Sequence, residues 1–136
     1  MIRVCKEFSF DAAHRLQGHS RLCQYLHGHT WKIQVMVESE ELNSEGSSRG
    51  MVVDFSELKA RVQGLIETMD HSVILEDGDP LISVLLDAGQ RVLTVPFRPT
   101  AENFAREIVK ALGVPRVRVY ETPTNYAEAF DEKIEP

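Results

Sequence analysis

Two cysteines, Cys5 and Cys23, are too few for a disulfide framework, so an apolar core must hold the fold and a reducing compartment is expected. The chain opens with no basic segment followed by an apolar one, and no apolar run approaches the length of a membrane span. Cytoplasmic is the expected location, with no membrane partner. There is no surplus of positive charge: 15 Lys and Arg against 21 Asp and Glu leave a net charge of −6, and the basic residues are scattered. That balance argues against nucleic acid as a main partner, while leaving room for a local basic pocket around a phosphorylated small molecule. Internal repeats, low-complexity blocks, a glycine-rich phosphate loop and a serine nucleophile elbow are all missing. The remainder has ordinary globular composition, and residues 1–136 are enough for one domain with a substantial core.

Against these absences one stretch stands out, Cys23-Gln24-Tyr25-Leu26-His27-Gly28-His29, with Phe10-Asp11-Ala12-Ala13-His14 just upstream. On a strand, His27 and His29 at i and i+2 project to one face. The apolar run Trp31, Ile33, Val35 and Val37 continues that face and supports the strand independently. Two imidazoles so placed can share a metal, although His-x-His also occurs where histidines pack or hydrogen-bond. His14 would close a three-imidazole set, which suits zinc and leaves a fourth position open for water or substrate. Cys23 stays ambiguous on spacing alone, either a further ligand or a catalytic thiol.

Residues 2–10 alternate, with Ile2, Val4, Phe8 and Phe10 against Arg3, Glu7 and Ser9, and predict a half-buried strand. Cys5 falls on the polar side and reads as an inert thiol. Residues 15–26 read as a loop, with His19 solvated or loop-bound in it. A second strand runs from about His29 to Glu38, and the polar stretch Ser39 to Gly50 leads to a short returning strand, Met51-Val52-Val53. Asp54 caps a helix whose apolar positions are Phe55, Leu58, Val62, Leu65, Ile66 and Met69. At its end Asp70 and His71 adjoin. By themselves they read best as a helix terminus, where a histidine suits the dipole; the other reading is a base with its orienting carboxylate.

A turn at Glu76 to Pro80, a short helix over Leu81 to Ala88 and a strand over Val92 to Phe97 follow. Thr100 caps a second main helix with Phe104, Ala105, Ile108, Val109 and Leu112 on its buried stripe, stopped by Gly113 and Pro115. Arg116 to Thr122 alternates again, and the acidic tail after Tyr126 is expected to fray. This order predicts an α+β fold, an antiparallel β-sheet with two helices packed on one face.

Six segments, in this order, resemble the 6-pyruvoyltetrahydropterin synthase / 6-carboxytetrahydropterin synthase family of the T-fold. They are Phe10-Asp-Ala-Ala-His14, Cys23-x3-His27-Gly-His29, Val53-Asp-Phe55, Asp70-His71, Pro99-Thr-Ala-Glu-Asn103 and Tyr120-Glu121-Thr122, and they span nearly the whole chain. The three residues between Cys23 and His27 match the bacterial carboxy-type branch of the queuosine pathway; the pyruvoyl-type enzymes of animals have a longer spacer. The chain departs from the family in reading Ser72-Val-Ile-Leu-Glu76 after His71 and in a long segment up to Pro99.

The resemblance implies that His14, His27 and His29 bind Zn2+, that Cys23 is the general base and that Asp70 and His71 form a second proton-transfer unit. It implies that Glu121 anchors the pterin ring, and it assigns Thr100 and Glu102 to substrate binding. Members build homo-oligomers, hexamers in the family, whose sheets close into a barrel with pockets at subunit boundaries. The implied reaction converts 7,8-dihydroneopterin triphosphate to 6-carboxy-5,6,7,8-tetrahydropterin, releasing acetaldehyde and triphosphate. Zinc would polarise the side-chain oxygens and acidify the adjoining C–H. One alternative is the pyruvoyl-type sibling, which eliminates triphosphate without releasing acetaldehyde. Another is a non-catalytic zinc or pterin-binding module in which Cys23 is a structural ligand.

Overall fold

The alternation of residues 2–10 carries on to His14, because every residue of the first strand finds a partner in the second. In the computed structural model, which describes residues 1–132, β1 (Ile2–His14) and β2 (His27–Ser39) pair antiparallel along their whole length. The register sets Phe8 opposite Ile33, Phe10 opposite Trp31, Ala12 opposite His29 and His14 opposite His27. A slip of one residue would turn this whole set to the other face. After the hairpin come α1 (Phe55–Met69), β3 (Ser72–Glu76), α2 (Leu81–Asp87), β4 (Val92–Val95), α3 (Ala101–Leu112), β5 (Arg116–Thr122) and β6 (Asn125–Phe130).

Six strands of the described residues form one sheet in the order β4-β3-β1-β2-β5-β6. The expected antiparallel pairing holds for β1, β2, β5 and β6. The sheet is nevertheless mixed: β3 pairs parallel with β1, and β4 parallel with β3. α1 and α3 bury Leu58, Val62, Ile66 and Met69, and Phe104, Ala105, Ile108 and Val109, in one cluster with Phe8, Phe10, Trp31, Ile33, Val35, Val117 and Val119. Trp31 lies at its centre with no exposed surface, stacked on Phe10, edge-on to Phe104, and donating Nε1–H to the Ala12 carbonyl at 3.2 Å. Burying a side chain of this size stabilises by about 3 kcal/mol.

Both main helices start where their caps predict. Asp54 accepts from the Ser56 N–H at 2.8 Å and Thr100 from the Asn103 N–H at 3.2 Å. Gly113, left-handed at φ 64°, ends α3.

Four boundaries differ from the sequence expectation. Met51-Val52-Val53 is not a strand; Met51 is tied back to Asn43, whose N–H donates to its carbonyl at 2.9 Å. β4 stops at Val95, since Pro96 has no N–H to offer a ladder. β3 takes residues 72–75, to which the sequence assigns no element, and Glu76 from the expected turn. Ile74 and Leu75 are both fully buried, so the strand is covered on both faces and lacks a period of two. The tail does not fray immediately after Tyr126: β6 runs to Phe130 against β5, and the end of the expected frayed segment, residues 133–136, lies outside the described residues.

Candidate metal centre

Strand parity and the β1–β2 register bring the three imidazoles together. His14 on β1 faces His27 across the ladder, His29 stands two residues further along β2, and all three lie on the face that carries Trp31. Ring centroids are 4.6 Å apart for His14 and His27, 4.8 Å for His27 and His29, and 5.2 Å for His14 and His29. β5 adds Glu121, one residue beyond the Lys32–Tyr120 pair, and its carboxylate points into the same space. The four potential ligand atoms all lie within 4.8 Å of one another.

Backbone carbonyls fix the rings. His14 Nδ1 donates to the Pro99 carbonyl at 2.7 Å, and His27 Nδ1 to the Tyr25 carbonyl at 2.6 Å. Each neutral ring therefore carries its lone pair on Nε2, as a metal ligand needs. His14 Nε2 and His29 Nε2 are buried with no hydrogen-bond partner. Such an unsatisfied group costs about 1–3 kcal/mol. Burial holds the His29 imidazole below its ordinary pKa. Orphaned nitrogens converging with an acceptor-only carboxylate can hold a divalent cation, and a nitrogen-rich set of this kind suits zinc.

Asp70 and His71 form a separate cluster with Asp11. Asp70 closes α1, and His71 follows with a left-handed φ of 57°. β1 grips both: the Asp11 N–H donates to Asp70 Oδ1 at 2.9 Å, and the His71 N–H to the Asp11 carbonyl at 2.6 Å. The Asp11 carboxylate is held in turn by the Thr30 hydroxyl at 2.5 Å. Asp70 Oδ1 lies 3.0 Å from His71 Nδ1, so carboxylate and imidazole do face each other. The Asp11 N–H, and after it His71, keeps the Asp70 carboxyl below its ordinary pKa. His71, Asp11, Thr30, His29, Gln90 and Arg91 line one cleft of about 550 Å³.

The remaining sequence candidates stand apart. Cys23 sits half-buried in a 3-10 turn over Leu22–Gln24, and its thiol is not among the four clustered ligand groups. Thr100 spends its hydroxyl on capping α3. Glu102 lines a different cleft, between α3 and β6, with Arg106, Lys110 and Glu128, because its place in the first turn of α3 turns it away from the core stripe. Glu121, by contrast, is directed at the histidines, its Oε1 3.3 Å from His14 Nε2 and 3.2 Å from His29 Nε2. His19 is loop-bound, its Nδ1 accepting from the Arg21 N–H at 3.0 Å. The supporting roles of Asp11, Thr30 and Pro99 carry no signal in sequence, since two of the three act through backbone atoms. Nor does the fork of Arg15 on Asp79 (Nε to Oδ2, 2.8 Å), which ties the chain after His14 to the turn after β3.

A curled sheet with helices on one face, gathering three imidazoles and a carboxylate from β1, β2 and β5 into a group that could hold a metal, defines a T-fold chain. The chain belongs to the 6-pyruvoyl tetrahydropterin synthase family, whose model matches residues 3–132. A Haemophilus influenzae protein named 6-carboxy-5,6,7,8-tetrahydropterin synthase is 40% identical over 94% of this chain and 98% of its own. A protein of the same name from Synechocystis is 39% identical over 98% of this chain and 96% of its own. Among solved structures, an uncharacterized protein from Wolinella succinogenes superposes with a TM-score of 0.77 at 26% identity, covering 96% of this chain and 98% of that one. The Caenorhabditis elegans 6-pyruvoyl tetrahydropterin synthase shares the fold at a TM-score of 0.69 and 22% identity, covering 96% of both chains.

Proposed function

We propose that this protein converts 7,8-dihydroneopterin triphosphate to 6-carboxy-5,6,7,8-tetrahydropterin, releasing acetaldehyde and triphosphate. The observation that carries the proposal is the convergence of His14, His27 and His29 on one point, with His14 and His27 fixed through Nδ1, in a chain of this family. The near-full-length likeness to proteins named 6-carboxy-5,6,7,8-tetrahydropterin synthase supports the carboxy product.

The three histidines would hold Zn2+, which supplies Lewis-acid polarisation of the substrate's side-chain oxygens. Cys23 takes the proton from the adjoining carbon. A free thiol titrates near pH ~8.5, and a nearby cation lowers that value, so the turn holding Cys23 must come close to the centre in the working assembly. Asp70 orients His71, which delivers and removes protons on the other side of the substrate. Glu121 accepts from the N–H groups of the pterin ring and fixes its position. The Asp70–His71 unit and Cys23 meet across a boundary in a homo-oligomer, a reading supported by the exposure of the apolar neighbours of Cys23 in the chain, Leu22, Tyr25 and Leu26. No helix of the described residues is long and apolar enough to cross a membrane, and we place the reaction in the cytoplasm.

Incubation of the zinc-loaded protein with 7,8-dihydroneopterin triphosphate, followed by assay of acetaldehyde, tests the proposal. Stoichiometric acetaldehyde with the carboxy product is expected. Triphosphate release with a pyruvoyl product and no acetaldehyde would assign the pyruvoyl-type reaction instead.

A further inference from the structure

Glu121 stands where the fourth ligand of a metal would stand. Its Oε1 lies 3.3 Å from His14 Nε2 and 3.2 Å from His29 Nε2. A tetrahedral centre with bonds of about 2.0–2.1 Å sets neighbouring ligand atoms roughly 3.3–3.4 Å apart. Both separations therefore match tetrahedral edges. Hydrogen bonding does not account for them. His14 has already committed its Nδ1–H to Pro99, and neither His14 Nε2 nor His29 Nε2 has a hydrogen-bond partner. A carboxylate has no proton to donate and a neutral His14 ring offers only a lone pair at Nε2, so these two meet lone pair to lone pair unless a cation sits between them. Cys23, the other candidate for this position, is outside the group.

The Glu121 side chain is also free to leave. It is 29% exposed and opens on a second cleft, of about 340 Å³, lined by Ser9, Lys32, Tyr120, Thr122 and Pro123. This cleft joins the metal centre at His29.

We propose that Glu121 closes the coordination of the metal in the substrate-free protein and withdraws from it when the substrate's side-chain oxygens arrive. Resting on the metal reading above, this makes the open position something the substrate creates. The carboxylate released by the metal becomes the one that meets the pterin ring, so ring recognition and opening of the centre are a single event. In the resting state water is kept off the fourth position.

Cobalt(II) in place of zinc reports the coordination directly through its visible absorption. The wild-type protein is expected to give the intense bands of a four-coordinate centre. Glu121→Ala, and Glu121→Asp with its carboxylate pulled back by one methylene, are expected to give weaker bands as water enters. Their zinc dissociation constants, measured by competition with a chromophoric chelator, are expected to rise at least ~10-fold. Titration with neopterin, its binding followed by its own fluorescence, is expected to shift the wild-type bands. Identical spectra and zinc affinity in wild type and both variants would overturn the proposal and leave a three-histidine centre standing. An unchanged wild-type spectrum with neopterin bound would overturn the exchange. Wild-type protein that takes up neither metal would overturn the metal reading itself. Because Glu121 is partly exposed at a strand end, Glu121→Asp is expected to fold even if Glu121→Ala does not.

Discussion

His14 gives its Nδ1 proton to the carbonyl of Pro99, 85 residues further along the chain and 2.7 Å away. That bond connects the end of β1 to the entry of α3 and leaves Nε2 of a ring with 1% exposure aimed at the centre. A cation bound there stabilises the native state by mass action, since the unfolded chain holds no such arrangement. At zinc about 1,000-fold above the dissociation constant the gain is about 4 kcal/mol. Thermal unfolding should therefore shift down on chelation and recover with zinc. His14→Gln, His27→Gln and His29→Gln should each lose most of this zinc-dependent rise.

Cys23 stands outside the ligand group, so removing its sulfur should spare the metal. Cys23→Ala is expected to keep the zinc content of wild type while turnover falls by about 10²–10⁴-fold, the range of a positioned general base. Zinc lost together with activity would make the thiol a ligand.

His71 holds a left-handed φ of 57° at the point where the helix hands over to β3. A side chain is costly there by about 1–3 kcal/mol, and glycine is not. His71→Gly should unfold at the same temperature as wild type or a higher one, with catalysis lost. Comparing the unfolding midpoint with the rate tests this pairing of outcomes. A lowered midpoint would show that the contact with Asp70 outweighs the backbone strain, and an unchanged rate would remove the proton-transfer role.

Asp79 accepts both arms of Arg15 and the Leu81 N–H, the latter at 2.9 Å, and its side chain is only 1% exposed. The Arg15 hydrogen bonds hold its carboxyl below the ordinary value of 3.8. A carboxyl whose pKa is lower in the folded state adds stability that is complete above the unfolded value. That stability is lost as pH falls through the native value. Unfolding midpoints measured from neutral pH downward should thus show a decline below pH ~4 that Asp79→Asn flattens. At pH 7 the same substitution should cost about 1.5–3 kcal/mol, as for other hydrogen bonds to a charged group.

Much of this architecture is legible in local signals. β1, β2 and β5 announce themselves by a period of two, and α1 and α3 by their caps and stripes, so the face holding Trp31 and the three histidines can be read directly. β3 escapes because Val73-Ile74-Leu75 is covered on both faces and has no alternation to show. β6 escapes because its inward residues are Ala127 and Ala129, too small to mark a buried side. At the site, the histidines follow from strand parity, whereas the approach of Glu121 depends on how β5 is placed against β2. The pairing of Asp70 with His71 depends likewise on bonds from Asp11 that only the parallel docking of β3 on β1 creates.

All three imidazoles come from one hairpin, whose strands are joined by the 15–26 loop. During translation that hairpin leaves the ribosome well before β5 is made. An ion caught by His14, His27 and His29 would pin the mouth of the loop, offsetting the entropy of closing it and setting the strands in step from that end. The same ion would then favour the docking of β5, whose Glu121 is drawn toward the trapped charge. Metal supply during synthesis would in that way bear on how fast the sheet zips up, apart from anything it does for turnover.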